Sequence, residues 1–131
     1  VRIRPGQRIH FEPGRSIVGQ CGSLITKVLY IKKGRNTTFA IVDAGMTDLI
    51  RPALYQAHHK IQNLTSSGKT GKYDVVGPIC ESSDTFAKYI ELPETRRGDI
   101  LAIRSAGAYG ETMVSGYNLR KAPGVVFSDE L

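Results

Sequence analysis

The chain has 131 residues, 40% of them hydrophobic, and a formal net charge of +6 at pH 7. This length suits one domain with its own core and is too short for two comfortable ones. No apolar stretch approaches the ~20 residues that cross a bilayer. The two cysteines exclude a disulfide framework, so we expect reduced thiols in a cytoplasmic protein. The basic residues are scattered near Gly and Pro and form no continuous basic block, which disfavours a nucleic-acid-binding arm.

Short β-type runs separated by Gly and Pro predict a mainly β domain with little helix, built as a β-sandwich or a Greek-key β-barrel. In chain order, the predicted strands are residues 8–11, 23–33, 37–43, 73–76, 100–104, 111–115 and 124–128. The strand 23–33 alternates, with Leu24, Thr26, Val28 and Tyr30 on one face. Gly34 predicts a hairpin turn into the next strand.

The segments between the predicted strands contain little regular structure. Residues 49–58 predict one or two helical turns, because Pro52 is tolerated in the first turn of a helix. Residues 65–72 (TSSGKTGK) predict a flexible polar loop. Leu92 and Pro93, followed by residues 97–99, predict a connection that leads into the strand 100–104.

Four segments carry more reactive side chains than a structural β domain needs. They are EPGR at 12–15, DAGMTDLIRPALY at 43–55, GPICESSD at 77–84 and GAYG at 107–110. In EPGR, Glu12 and Arg15 flank a Pro-Gly turn that would let a ligand approach the backbone, although an exposed turn explains the pattern equally well. Arg51 and Tyr55 lie four residues apart, so one helical turn puts them on a common face that suits a carboxylate. An exposed Arg beside a half-buried Tyr is the alternative.

The remaining reactive side chains each have a structural alternative as well. Cys80 beside Glu81 at a turn suits a proton donor, although a free Cys is more often buried filler. Tyr109 stands among small residues that leave its hydroxyl accessible. His58 and His59 are adjacent and therefore point apart, and with no third ligand in suitable spacing we expect no metal site.

In this order, the four motifs resemble the C-terminal half of the diaminopimelate decarboxylase family, over residues 4–126. That family belongs to the alanine-racemase-like group of pyridoxal-phosphate enzymes, together with ornithine and arginine decarboxylases. The resemblance implies an N-terminal (β/α)₈ barrel, a C-terminal β domain and a homodimer with sites at the interface. It also implies pyridoxal 5′-phosphate held as a Schiff base on a barrel lysine that this chain lacks.

Residues 1–131 would then form a single C-terminal β domain, in which residues 1–20 include the end of the barrel and the crossover. Because the chain begins at Val1 without an N-terminal element, we expect it to be a piece of a longer chain.

The resemblance also implies a role for each reactive residue. The cofactor-binding residues would be Glu12, Pro13, Gly14, Arg15 and Tyr109, with Glu12 facing the pyridine nitrogen and Arg15 near the phosphate. Cys80 would be the catalytic proton donor, contributed across the dimer interface. The substrate-binding residues would be Arg15, Arg51, Tyr55, Glu81 and Tyr109.

The implied activity is the conversion of meso-2,6-diaminopimelate to L-lysine and CO₂ in lysine biosynthesis, with the isolated chain inactive. Arg51 favours this substrate, because ornithine has no distal carboxylate to pair with it. The alternatives are a decarboxylase of arginine, ornithine or carboxynorspermidine, a basic β-barrel that binds nucleic acid, and a structural dimerisation module. We expect neither a nucleic-acid partner nor a membrane partner.

Overall fold

The computed structural model describes residues 2–130, so Val1 and Leu131 lie outside the described residues. Its strands are β1 (Ser23–Lys33), β2 (Thr38–Val42), β3 (Ile61–Asn63), β4 (Thr70–Val76), β5 (Thr85–Pro93) and β6 (Ile100–Arg104). Helix in this part of the chain is limited to α1 (Arg51–Tyr55) and short 3₁₀ turns at Gly19–Cys21, Glu111–Met113, Tyr117–Leu119 and Ser128–Glu130. The predicted mainly β class with little helix is confirmed. None of the helices in residues 2–130 is long and apolar enough to span a membrane.

All six strands belong to one sheet, in the order β3-β6-β1-β2-β4-β5. Neighbouring strands are antiparallel except β2 and β4, which run parallel. The two edge strands also approach each other, since β3 contacts β5. The side-chain amide of Asn63 at the end of β3 donates to Thr95 Oγ1, two residues beyond β5, at 3.1 Å. The sheet is therefore a nearly closed barrel.

Strand β1 is long enough to serve two partners. Its first half pairs with β6 and its second half with β2, and the register shifts between Val28 and Tyr30. Thr26 and Val28 are buried, whereas Tyr30 is 55% exposed and Ile31 packs against the core. The prediction placed Tyr30 on the same face as Val28, and this was wrong because the irregularity between them reverses the alternation.

Three of the predicted strands are confirmed and a fourth is confirmed in part. The predictions at 23–33 and 100–104 match β1 and β6 at both ends, and 37–43 contains β2. The predicted hairpin is present, because the Gly34 N–H donates to the Thr37 carbonyl oxygen at 2.8 Å. Residues 73–76 are only the second half of β4. Its first three residues, 70–72, lie in the segment predicted as a loop, and that part of the prediction was wrong.

Three strand predictions were wrong and two strands were not predicted. Residues 8–11 and 124–128 are exposed and pair with no described strand, and Glu111–Met113 is a 3₁₀ turn. Strands β3 and β5 were missed. Leu92 and Pro93 are the end of β5, not a connection, and Leu92 is buried against the core. A β-type run becomes a strand only where another strand pairs with it.

The core draws on all six strands and on the segment between β2 and α1. Its buried hydrophobic residues are Val28, Ala40, Val42, Ala44, Leu49, Ile61, Tyr73, Val75, Phe86, Leu92, Leu101 and Ile103. Ala44 and Leu49 anchor the segment that leads into α1, and Pro52 is buried at the start of that helix. The helix is thereby fixed against the barrel.

Candidate functional site

The EPGR turn and the GAYG loop lie together. Arg15 Nη2 donates to the Ser105 carbonyl oxygen at 2.6 Å. A Cβ at Gly14 would lie 3.9 Å from Tyr109 Oη. The Gly107 N–H donates to the Gly19 carbonyl oxygen at 3.1 Å, which ties the two segments together along their backbones. The structure thus brings Gly14, Arg15 and Tyr109, three of the predicted cofactor-binding residues, into one cluster.

This cluster offers hydrogen-bond donors to an anion. The Nε of Arg15 is buried and has no hydrogen-bond partner among the described residues. Tyr109 is 50% exposed and adopts a positive φ of 57°, which a non-glycine residue rarely does. Glu12 and Pro13 are exposed, and no hydrogen bond or ion pair joins Glu12 to another residue in 2–130. The structure therefore leaves Glu12 outside the cluster.

Helix α1 presents Arg51 and Tyr55 together, as their spacing predicted. The Arg51 guanidinium carbon lies 5.4 Å from the centre of the Tyr55 ring, a cation–π distance. The helix ends at Tyr55, and the next residue, Gln56, has a left-handed φ of 53°. Arg51 Nε is buried without a partner in the part of the chain that is described. Arg51 therefore retains a free donor, and its fork geometry suits a carboxylate.

His59 lies close enough to Arg15 and Arg51 for the charges of both guanidinium groups to act on it. It is 2% exposed, and its Nδ1 lies 2.8 Å from the Arg104 carbonyl oxygen. Because a carbonyl only accepts, Nδ1 carries the proton and Nε2 is the acceptor. Burial lowers the pKa of His59, and the positive charges of Arg15 and Arg51 lower it further against the opposing effect of the Arg104 carbonyl. The imidazole is neutral at pH 7, and its neighbour His58 is exposed.

The segment 77–84 forms a compact loop between β4 and β5. The Gly77 N–H donates to the Asp84 carbonyl oxygen at 3.0 Å and closes the loop. Cys80 is a free, exposed thiol, so the structure does not support buried filler as its role. Its backbone N–H donates to Asn118 Oδ1 at 3.1 Å. The neighbouring carboxylate of Glu81 accepts a hydrogen bond from the Tyr117 hydroxyl at 2.6 Å.

No pattern in the sequence singles out Tyr117 and Asn118, which contact Glu81 and Cys80 from 36 and 38 residues further along the chain. The hydrogen bond to Glu81 raises the pKa of Tyr117, so this phenol stays protonated and continues to donate. Asn118 has a φ of 53°, a conformation that Asn tolerates better than most residues. Gly116 before these two residues was the only local signal of a turn. Asp84 is the last residue of the GPICESSD segment, and no role was predicted for it.

The predicted site residues fall into separate groups in this chain. Arg15 and Tyr109 form one group, Arg51 and Tyr55 a second, and Cys80 with Glu81 a third. Within residues 2–130, no hydrogen bond or ion pair joins the third group to either of the others. The same residues contain no cluster of three or more His, Cys, Asp or Glu side chains that could hold a metal ion.

Residues 16–107 match the family described as pyridoxal-dependent decarboxylase, C-terminal sheet domain. The chain belongs to this family. The nearly closed sheet described above is thus the C-terminal sheet domain of this family. The predicted resemblance to diaminopimelate decarboxylase is confirmed by individual relatives.

One relative is the diaminopimelate decarboxylase of Bacteroides thetaiotaomicron, 64% identical over all 131 residues, which cover 34% of its length. Two crystal structures are also similar to the sheet domain. Diaminopimelate decarboxylase from Helicobacter pylori complexed with L-lysine is 58% identical, with a TM-score of 0.76 over 82% of this chain and 26% of that one. The enzyme from M. jannaschii in co-complex with L-lysine is 44% identical, with a TM-score of 0.83 over 86% and 26%. The chain therefore spans about a quarter to a third of its relatives.

Proposed function

We propose that this sheet domain is the C-terminal part of a cytoplasmic diaminopimelate decarboxylase, which converts meso-2,6-diaminopimelate to L-lysine and CO₂. The observation that carries the proposal is the 64% identity to a diaminopimelate decarboxylase over all 131 residues. That alignment includes Glu12–Arg15 and Tyr109, which lie outside the matched family range. The L-lysine in two related crystal structures agrees with this product.

The residues of the first cluster fit pyridoxal 5′-phosphate. The unpartnered Nε–H of Arg15 and the hydroxyl of the half-exposed Tyr109 are donors for its phosphate, and Gly14 leaves the approach to Tyr109 open. Glu12 has a free carboxylate that would keep the ring nitrogen protonated. When bound, the cofactor withdraws the electron pair that CO₂ leaves behind on the substrate. Its Schiff-base lysine belongs to the barrel, outside this chain.

The second group would bind the distal end of diaminopimelate, which carries both an amino group and a carboxyl group. The Arg51 fork pairs with the distal carboxylate, and Tyr55 lies beside it to donate a further hydrogen bond. Glu81, which lies beside Cys80 in the third group, would pair with the distal ammonium of a substrate in the partner subunit's site, and the Tyr117 hydroxyl holds the Glu81 carboxylate in place. A diamine-forming substrate would leave Arg51 without an anion.

Cys80 would donate the proton that replaces the lost carboxylate at Cα of the substrate. An exposed thiol on a hydrogen-bonded loop suits that role. Since no hydrogen bond or ion pair joins Cys80 to Arg15 or Tyr109 within residues 2–130, we propose that it serves the site of the partner subunit in a homodimer. A purified whole protein containing this chain should release CO₂ from meso-diaminopimelate and form L-lysine. Turnover of ornithine or arginine in its place would contradict the proposal.

The substitution Arg51→Lys tests how the substrate is distinguished. A point charge replaces the planar fork, so kcat/KM for diaminopimelate should fall roughly 30-fold. This corresponds to a loss of about 2 kcal/mol in transition-state stabilisation. Inhibition by cadaverine, which lacks the distal carboxylate, should weaken far less. Arg97→Lys is a matched control, because the Arg97 guanidinium also stacks on a tyrosine, 5.0 Å from the Tyr30 ring centre. Equal losses for diaminopimelate and for cadaverine in Arg51→Lys would show that Arg51 does not bind the distal carboxylate.

A further inference from the structure

Asp84 is a buried carboxylate at the end of the loop that carries Cys80. It is 4% exposed. One carboxylate oxygen accepts the Met46 N–H at 2.6 Å, and the other accepts the Ile79 N–H at 2.7 Å. Ile79 is the residue before Cys80, whereas Met46 belongs to the segment between β2 and α1. A single side chain therefore ties the Cys80 loop to the body of the domain.

Two glycines, Gly45 and Gly77, pack closely against this carboxylate and the loop. A Cβ at Gly77 would overlap the Asp84 carboxylate and come within 2.7 Å of the Ala44 carbonyl oxygen. A Cβ at Gly45 would lie 2.6 Å from Ile79 Cγ1 and 3.4 Å from Asp84 Oδ1. Close packing on both sides leaves the carboxylate a single position. The loop and the 43–48 segment approach this closely only because both positions are glycine.

The charges near Asp84 are also arranged around the loop. Burial raises the pKa of Asp84, while the N–H groups of Ile79 and Met46 lower it and the nearby carboxylate of Asp48 raises it. Arg120 Nη2 lies 3.8 Å from Asp48 Oδ2, and the same Nη2 donates to the Asp43 carbonyl oxygen. The charge of Arg120 therefore partly offsets two buried carboxylates.

Residues 117–120 form a turn that supports the Cys80 loop from the other side. The Arg120 N–H closes this turn by donating to the Tyr117 carbonyl oxygen at 3.3 Å. Asn118 accepts from the Cys80 N–H, and the Tyr117 hydroxyl donates to Glu81. The Cys80 loop is thus held at its base by the Asp84 carboxylate and at its tip by residues 117–118.

We propose that Asp84 is a positioning residue for Cys80. Its carboxylate fixes the loop by binding the N–H of the residue next to the thiol, and it does not contact the substrate. This inference rests on the proposed function for the role of Cys80. Loss of the two charged hydrogen bonds would let the loop shift, and a shift of about 1 Å at a reacting group lowers turnover by as much as 100-fold.

The test is a double-mutant cycle on kcat in the whole protein. Asp84→Asn should lower kcat about 10-fold to 100-fold with a smaller change in KM. In the Cys80→Ala background, the same substitution should have little further effect, because the group it positions is gone. The control is Asp74→Asn, which alters another buried carboxylate, 7% exposed, that accepts the Tyr89 N–H of β5 at 2.7 Å and, among the described residues, no N–H of the loop 77–84. It should leave kcat unchanged.

A second measurement separates this inference from the proposed function. The alkylation rate of Cys80, followed by peptide mass spectrometry, should change severalfold in Asp84→Asn and stay constant in Asp74→Asn. If Cys80→Ala leaves kcat unchanged, the donor role fails, and the alkylation rates alone decide whether Asp84 positions the thiol. Equal kcat losses from Asp84→Asn with and without Cys80, or unchanged alkylation, would overturn the positioning role. If Asp84→Asn does not fold, Asp84→Glu, which keeps the charge but displaces the loop, goes through both measurements.

Discussion

His59 is buried as a neutral imidazole because nothing near it favours a positive charge except one carbonyl. The Arg104 carbonyl oxygen accepts from Nδ1, while Nε2 has no partner in residues 2–130. Burial and the charges of Arg15, Arg51 and His58 all act against protonation. Protonating His59 would place a third cation beside two arginines that the proposed function needs for anions.

The lowered pKa of His59 predicts a loss of stability in mild acid. The unfolded chain binds a proton below about pH 6.5, and the folded chain binds it only at lower pH. The free energy of unfolding should therefore be highest above pH 6.5 and fall as the pH drops toward the folded pKa.

Urea unfolding of the protein at pH 7.5 and pH 5.5 measures this effect. His59→Gln should reduce the loss between the two values, because Gln has no charge to gain and can still donate to the Arg104 carbonyl oxygen. His10→Gln is the control and should leave the loss unchanged, since His10 is exposed and is not among the charges that act on His59. An equal loss with and without His59 would mean that other groups cause the acid sensitivity.

At the level of elements, the sequence predicts best those strands whose apolar pattern is clear. β1 was predicted to the residue because it alternates as far as Val28, and β6 because a short, continuous apolar run after Gly98 is typical of a buried strand. β5 was missed because its buried positions do not alternate, its register against β4 shifts, and Tyr89 within it has a φ of 53°. β3 has three residues, too few for any period.

In the candidate site, too, the sequence predicts contacts between residues that are near each other in the chain, and it misses contacts between distant ones. The pairing of Arg51 with Tyr55 follows from a spacing of four residues on one helix, so the sequence predicts it directly. The contacts that Tyr117 and Asn118 make with the Cys80 loop depend on how the chain returns to that loop. No local pattern encodes such a return.

The junction between the 3₁₀ turn Gly19–Cys21 and the GAYG loop should be intolerant of any added atom. A Cβ at Gly107 would overlap the Val18 carbonyl oxygen and lie 2.6 Å from the Gly22 nitrogen, and both are backbone atoms that cannot move aside. Gly107→Ala should therefore destabilise the domain by about 1–3 kcal/mol. It should also weaken cofactor binding, because the loop carries Tyr109.

The matched control is Gly116→Ala, whose added Cβ would come no closer than 3.8 Å to the Arg120 carbonyl oxygen. Urea unfolding and pyridoxal phosphate titration of the whole protein measure the two effects. Equal stability of the two variants would show that the junction relaxes around the extra methyl group.

At the level of the whole molecule, the described chain exposes large apolar side chains on segments that form no strand. Phe11 is 82% exposed, Leu119 97% and Phe127 61%. Apolar surface on this scale commonly marks an interface. Leu119 lies next to Asn118, whose side-chain oxygen accepts a hydrogen bond from the Cys80 N–H. This position agrees with the proposal that the Cys80 loop faces a partner subunit.

Mixed dimers test whether Cys80 serves the site of the partner subunit. In the proposed homodimer, each site takes its cofactor lysine from one chain and Cys80 from the other. Dimers of Cys80→Ala chains alone should turn over slowly but bind the cofactor nearly normally, and chains without the cofactor lysine should be inactive. A dimer of one chain of each kind holds one site with both groups intact, so random mixing should restore activity to about a quarter of the wild-type value. That figure follows because half of the dimers are mixed and each of these has one working site of two. Mixtures that regain nothing, while each variant dimerises normally, would place Cys80 in the site of its own chain.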